Sequence, residues 1–170
     1  MKIVEIKIRR FKELVTGILL GSGARWSFVR LNVVDYVLDG FQFTNKRYID
    51  NVWEIKEDSL KYKILSIKNS SKDILSIIDS NILESDNMLY SFLKDNNMLV
   101  AVCLHCEDVI YVGKIKEIKA KSFILDSYDT ELMKSGIINI EFSKVRYVQV
   151  HTDYLDSLGL LLDKVIENEM

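Results

Sequence analysis

The sequence predicts a mainly β protein in which two small five-stranded barrels repeat, with a helical connector between them and a helix at the C-terminus. Three observations support this prediction: the chain aligns with itself at a separation of 96 residues, period-two alternation fills both aligned segments, and helical spacing appears between and after them. The expected domains are 1–56 and 98–151 for the two barrels, 57–97 for the connector and 152–170 for the helix.

The self-alignment places residues 2–53 over residues 98–149, mostly as similar rather than identical residues. The aligned pairs are Val4 and Val100, Ile6 and Val102, Ile8 and Leu104, Leu14 and Ile110, Gly17 and Gly113, Gly40 and Gly136, Ile49 and Val145, and Val52 and Val148. Near the third strand a separation of 97 matches the aromatic residues better, with Trp26 and Phe28 over Phe123 and Leu125. We therefore expect one copy to carry an extra residue there, as a bulge would allow.

Alternating apolar and polar residues define the strands of the first copy, and Asp39-Gly40 is a strong hairpin signal before the fourth of them. The expected strands are 2–9, 12–20, 26–31, 41–44 and 47–55 in the first copy, and 98–105, 109–118, 122–128, 137–142 and 144–150 in the second. Five short strands in about 52 residues suit a closed barrel, because closure leaves no unpaired strand edge.

Helical spacing of apolar residues indicates three helices, each with an N-capping residue before it. The first is expected near 72–80 after Ser70 or Ser71, and the second near 86–95 after Ser85 or Asp86. The third begins at about residue 153 after Thr152. Its apolar stripe consists of Leu155, Leu158, Leu162 and Val165.

Composition limits the classes of partner. The formal net charge is −2 and the isoelectric point is about 5.8, which argues against nucleic acid, since nucleic-acid binders usually carry a basic surface. No apolar stretch approaches the ~20 residues that cross a bilayer, so no membrane contact is expected. Two cysteines without a secretory signal indicate a reducing compartment and predict a cytoplasmic location.

Two groups of side chains are candidates for chemistry. Cys103, His105 and Cys106, with His151 as a fourth ligand, would supply a zinc site, but a strand would point the two cysteines in opposite directions. The carboxylates Asp35, Asp39, Asp126, Asp129 and Glu131 could share acid and base roles, although turns favour aspartate for backbone reasons alone. The sequence therefore predicts a protein that is not an enzyme, with no catalytic residue, metal or cofactor.

Apolar residues between the third and fourth strands point to an interaction site. These are 36–38 in the first copy and 132–133 in the second, and loop tips of this kind are normally polar. Either they plug the ends of the barrels, or one of them is exposed to a partner. The residues expected to bind another protein are Arg25, Trp26, Arg30, Tyr36 and Leu38, because arginine and aromatic residues dominate binding hot spots.

Several short segments resemble an uncharacterised family of bacterial cytoplasmic proteins with tandem Sm-like or SH3-like barrels. They are Gly17-Ile18-Leu19-Leu20, Trp26 to Leu31, Asp39-Gly40-Phe41, Tyr48-Ile49 and Thr152 to Leu158. The resemblance implies the fold and brings no established activity. The Arg-Gly of oligouridine-binding Sm proteins is absent, since the corresponding positions are Lys46-Arg47 and Ser143-Lys144.

Two functions are compatible with these features. The first is a non-enzymatic protein-binding module, such as an antidote, immunity or adaptor protein. The alternative is an Sm-like regulatory or RNA-associated protein, which a steep dependence of nucleic-acid affinity on salt would distinguish.

Overall fold

Ten strands form one antiparallel sheet in the order β5-β1-β2-β3-β4-β10-β6-β7-β8-β9. The computed structural model describes residues 1–69 and 79–169, except for the side chains of 163–169. The strands are β1 (Lys2–Ile8), β2 (Leu14–Ser22), β3 (Trp26–Val34), β4 (Val37–Asn45), β5 (Ile49–Glu54), β6 (Leu99–Cys103), β7 (Ile110–Ile118), β8 (Ser122–Tyr128), β9 (Lys134–Glu141) and β10 (Tyr147–Val150). The helices are α1 (Leu60–Lys68), α2 (Asp86–Asp95) and α3 (Asp153–Glu169).

The expected closure into barrels is wrong, because the sheet stays open. In a closed first half, β4 would return to a strand of its own half. Instead β4 pairs with β10 of the second half, with Phe43 opposite Val148 and Phe41 opposite Val150. This junction joins the two halves into one sheet and leaves β5 and β9 at its ends.

The two halves have the same strand order and the same register. Val4 pairs with Gly17 in the first half, and Val100 pairs with Gly113 in the second. The two halves also share an irregularity at the same place, between Leu19 and Gly21 in β2 and after Ile115 in β7. Equivalent residues are therefore 96 apart throughout these strands.

The expected change to a separation of 97 near the third strand is wrong. Gly21 pairs with Phe28 and Glu117 pairs with Ile124, so Phe28 corresponds to Ile124 and not to Leu125. The aromatic residues misled the alignment because β3 is buried on both faces. Val29 packs in one cluster with Ile6 and Leu31, whereas Phe28 packs in a separate, larger cluster.

The hairpin between β3 and β4 turns earlier than Asp39-Gly40. Val34 pairs with Val37, so Asp35 and Tyr36 form the turn, and Asp35 adopts a positive φ of 46° that aspartate tolerates better than most residues. Gly40 lies inside β4 with φ +59°, where a Cβ would come within 2.6 Å of the Thr152 backbone nitrogen. Glycine here allows the start of α3 to approach the strand.

The helices of the connector differ in part from the expectation. Residues 72–78 of the expected first helix lie outside the described residues. The second is confirmed as α2, and the Ser85 hydroxyl accepts a hydrogen bond from the Met88 backbone N–H at 3.3 Å. The sequence did not predict α1, which buries Leu65 against Ile3 and Ile18. None of the helices in the described part of the chain is long and apolar enough to cross a membrane.

The C-terminal helix α3 is confirmed, together with its cap and its apolar stripe. The Thr152 hydroxyl accepts a hydrogen bond from the Leu155 N–H at 3.2 Å. Leu155 and Leu158 pack against Ala101 of β6 and Val112 of β7. Leu162 is also buried. Val165, the last residue of the expected stripe, is among the residues whose side chains the structure does not describe.

We expect Leu158→Ala to lower the free energy of unfolding by about 2–3 kcal/mol, because it removes buried methyl groups and leaves a cavity under α3. The midpoint of thermal unfolding should fall by roughly 4–12 °C. Leu160→Ala is the matched control, since Leu160 lies on the same helix with 69% exposure. Equal midpoints for the two variants would show that α3 does not stabilise the sheet.

Candidate functional site

Two of the five residues expected to bind a partner lie in a partly buried contact with α2. Trp26 is fully buried, and its indole Nε1 donates a hydrogen bond to Asp86 Oδ1 at 3.1 Å. The same oxygen accepts from Arg25 Nε at 2.8 Å. Trp26 also meets the Tyr90 ring edge to face, with centroids 5.9 Å apart. This part of β3 therefore holds the connector on the sheet.

The other three residues lie elsewhere along the same hairpin. Arg30 is partly buried, and its Nη1 donates to Asn69 Oδ1 at 3.3 Å. Tyr36 and Leu38 are partly buried and pack against the cluster that contains Leu65 of α1. The five residues thus do not share one exposed surface.

Exposed apolar side chains occur at the end of the β3–β4 hairpin instead. Val33, Val34 and Val37 are 54%, 59% and 47% exposed, and we call these three residues the hairpin tip. The equivalent loop of the second half also has one packed and one exposed apolar residue. Leu132 packs against the cluster that contains Leu155 and Leu158 of α3, and Met133 is 64% exposed. Each of the two loops therefore has both packed and exposed apolar residues, so neither of the two alternatives describes it completely.

A cleft of about 480 Å³ begins beside the hairpin tip and runs between the two halves. We call it the hairpin cleft. Its apolar walls come from β3, β7, β8 and the first turn of α3. The residues are Leu31, Val33, Ile110, Val112, Tyr128 and Tyr154. The sequence did not predict this site. A signal was present in Val33 and Val34, two apolar residues that follow the expected end of the third strand at residue 31.

Two carboxylates at the rim of the hairpin cleft are engaged by backbone groups. Asp39 Oδ1 accepts a hydrogen bond from the Asp153 N–H at 2.7 Å, at the start of α3. Asp129 Oδ1 accepts from the N–H groups of Glu131 and Met133, both at 2.9 Å. Capping and turn formation therefore account for both side chains, and what remains of the cleft is an apolar surface with a polar rim.

The cysteines do not form the ligand arrangement that a zinc site would need. The Cys103 thiol is buried and donates to the Cys106 carbonyl oxygen at 3.4 Å, and burial raises the pKa of Cys103 to about 11. His151 lies just before α3, with its Nδ1 3.1 Å from Asp156 Oδ1. Within residues 1–69 and 79–169, no three cysteine, histidine or acidic side chains form a group that could hold a metal ion.

Arginines gather where the turns after β4 and β9 meet. The Arg146 guanidinium lies over the Tyr48 ring, 3.6 Å from its centroid, and Tyr48 donates a hydrogen bond to the Ser143 carbonyl oxygen. Burial lowers the pKa of Arg146, and the positive charges of Arg9 and Arg10 lower it further. Two buried nitrogens of the Arg146 side chain, Nε and Nη1, have no hydrogen-bond partner among the described residues. Stacking on Tyr48 is a cation–π contact that stabilises the guanidinium.

Comparison with protein-family models, with curated proteins and with solved structures finds no match to this chain.

Proposed function

We propose that this protein is a non-enzymatic module that binds another protein through the hairpin tip and the hairpin cleft. The observation that carries the proposal is the exposure of Val33, Val34 and Val37 on a regular hairpin beside an apolar cleft. Exposed apolar clusters next to a concave surface are typical of interaction sites. An antidote, immunity or adaptor role is compatible with such a surface.

The chemistry of the surface indicates what part of a partner would bind. Leu31, Val112 and Ile110 offer aliphatic contacts along the cleft, and Tyr128 and Tyr154 add aromatic ones. The rim carboxylates already bond to backbone N–H groups. An apolar segment of the partner, inserted between the hairpin and β7, would bury the most surface here, and apolar burial provides most of the free energy of association.

A triple variant, Val33→Thr, Val34→Thr and Val37→Thr, tests the proposal. Threonine keeps the β-branched shape and adds a hydroxyl, so the hairpin should fold while the surface becomes polar. We expect capture of the partner from a lysate of the native host to be lost, with the unfolding midpoint nearly unchanged. Leu160→Gln, at an exposed apolar position on α3, is the control and should retain capture. Unchanged capture by the triple variant would contradict the proposal.

One observation favours the alternative, an RNA-associated protein. Arg47 and Arg146 lie over the Tyr48 ring, and the charges of Arg10 and Arg9 act on Arg146. Arginine beside an aromatic ring can hold a stacked base. This alternative predicts binding of oligouridylate with an affinity that falls steeply as salt increases. The protein-binding proposal predicts no such binding, and Arg47→Gln should leave partner capture unchanged.

The common strand order of the two halves supports a further proposal about their origin. Each half has the order 5-1-2-3-4 when its own strands are numbered, and equivalent pairs are 96 residues apart. We propose that the halves are duplicated Sm-like or SH3-like units that have merged into one open sheet.

The two free cysteines support a cytoplasmic location for this protein.

A further inference from the structure

The open sheet has two unpaired edges that differ from each other. β5 pairs with β1 and β9 pairs with β8, and neither has a second neighbouring strand in the described part of the chain. Unpaired edges present rows of backbone donors and acceptors to other chains. Exposed apolar side chains lie on both: Val52 is 50% and Trp53 47% exposed on β5, and Ile137 is 64% exposed on β9.

These two edges correspond to the two strands of the internal junction. Val52 on β5 pairs with Ile6, and its equivalent on β10, Val148, pairs with Val102 on one side and with Phe43 of β4 on the other. β5 is thus β10 without its outer neighbour. In the same way β9 is the strand of the second half that is equivalent to β4. It lacks the second neighbour that β4 has in β10.

We infer that β9 of one molecule pairs antiparallel with β5 of a second copy, in the register that β4 and β10 use inside the chain. The internal junction is the template for this contact. Because each contact uses two different edges, every added molecule leaves one β5 and one β9 free. The assembly is therefore head to tail, and it grows until it closes into a ring or continues as a filament.

Applying the internal register to the edges gives the side-chain pairs. Moving the β10·β4 pairing by 96 residues in each strand places Trp53 opposite Ile138 and Val52 opposite Asn139. The pair at the equivalent internal position is Gln149 with Gln42, joined by a 2.9 Å hydrogen bond. An aromatic residue opposite a β-branched one stabilises a strand pair, so the contact would cover the exposed indole.

The charges at the edges limit how tight the contact becomes. The same register brings Asp50 next to Glu141, and like charges facing each other across a strand pair are unfavourable. Each already has a cation of its own, since Asp50 pairs with Arg9 at 2.9 Å and Glu141 with Lys144 at 2.9 Å. We therefore expect a reversible association that appears as the protein concentration rises.

Sedimentation velocity across micromolar to millimolar concentrations tests this inference. The weight-average mass of the unmodified protein should rise with concentration beyond that of a dimer. Trp53→Lys removes the aromatic contact from β5. Asn139→Glu places a carboxylate on β9 that would face Val52 of the second copy between Asp50 and Glu54, where like charges repel it. Each variant alone should remain a monomer with an unchanged unfolding midpoint, because both positions are exposed. Leu160→Lys, an exposed change on α3, should associate like the unmodified protein.

Mixing the two edge variants distinguishes a head-to-tail contact from other modes. The Trp53→Lys protein keeps a free β9 and the Asn139→Glu protein keeps a free β5, so an equimolar mixture should form dimers and nothing larger. A mixture that stays monomeric would overturn the inference. So would a monomeric unmodified protein throughout the range, or association of either variant alone. The outcome is independent of partner capture, because no residue of the hairpin tip lies on these edges.

Discussion

Trp26→Ala is expected to lower the free energy of unfolding by about 3–5 kcal/mol, the usual cost of removing a fully buried aromatic side chain. For a chain of this length the unfolding midpoint should fall by roughly 6–20 °C. Trp26 lies in β3, and the Tyr90 ring that it meets belongs to α2. Tyr90 in turn contacts Phe123 and Phe142 of the second half, with ring centroids 4.5 and 4.9 Å away. The substitution therefore opens a cavity where both halves meet the connector.

The substitution also affects a polar contact. Asp86 Oδ1 accepts from both the indole Nε1 and Arg25, so the variant removes one of the two bonds that hold a partly buried carboxylate. The control is Trp53→Ala, which changes the other tryptophan at a position that is 47% exposed. Chemical denaturation at low protein concentration measures both. A loss below about 1 kcal/mol for Trp26→Ala would contradict the assignment of Trp26 to the core.

Strand positions could be predicted from the sequence because alternation is a local property of the chain. The strands β1, β7 and β8 lie within a residue or two of their expected ends. The helix α1 was missed because its segment, from Leu60 to Lys68, carries several lysines and only a weak apolar stripe. The junction of β4 with β10 was not predictable in the same way, since it joins residues about 105 apart that no turn connects.

The contacts made by the residues of the expected binding site were not predictable for a related reason. Tryptophan and arginine in one short segment suggested a binding surface, but the same residue types also build a core when a helix covers them. Whether Asp86 of α2 would reach Arg25 and Trp26, some 60 residues earlier, depends on how the connector folds back on the sheet. Exposure at Val33 and Val37 likewise depends on what lies beside the hairpin.

Gly17 and Gly113, two of the aligned residues that indicated a repeat, leave no room for a side chain. We expect Gly17→Ala and Gly113→Ala each to lower the free energy of unfolding by about 1–3 kcal/mol, as overpacking against a rigid neighbour does. A Cβ on Gly17 would lie 2.4 Å from the Arg30 carbonyl oxygen, and one on Gly113 would lie 2.3 Å from that of Asp126. Both neighbours are backbone atoms of the adjacent strand, so the strand itself would have to move.

Gly159→Ala is the control for this pair, and its effect should have the opposite sign. Gly159 lies inside α3, where an added Cβ would meet none of the described atoms within 4 Å, and alanine in a helix interior is favoured over glycine by roughly 0.5–1 kcal/mol. Thermal unfolding of the three variants should therefore show two large losses and one small gain. If only one of the two strand glycines were sensitive, the close approach of β2 to β3 and of β7 to β8 would not be equivalent in the two halves. A common register requires that both substitutions lower the free energy of unfolding equally, because the same close approach of two paired strands then occurs twice in one sheet.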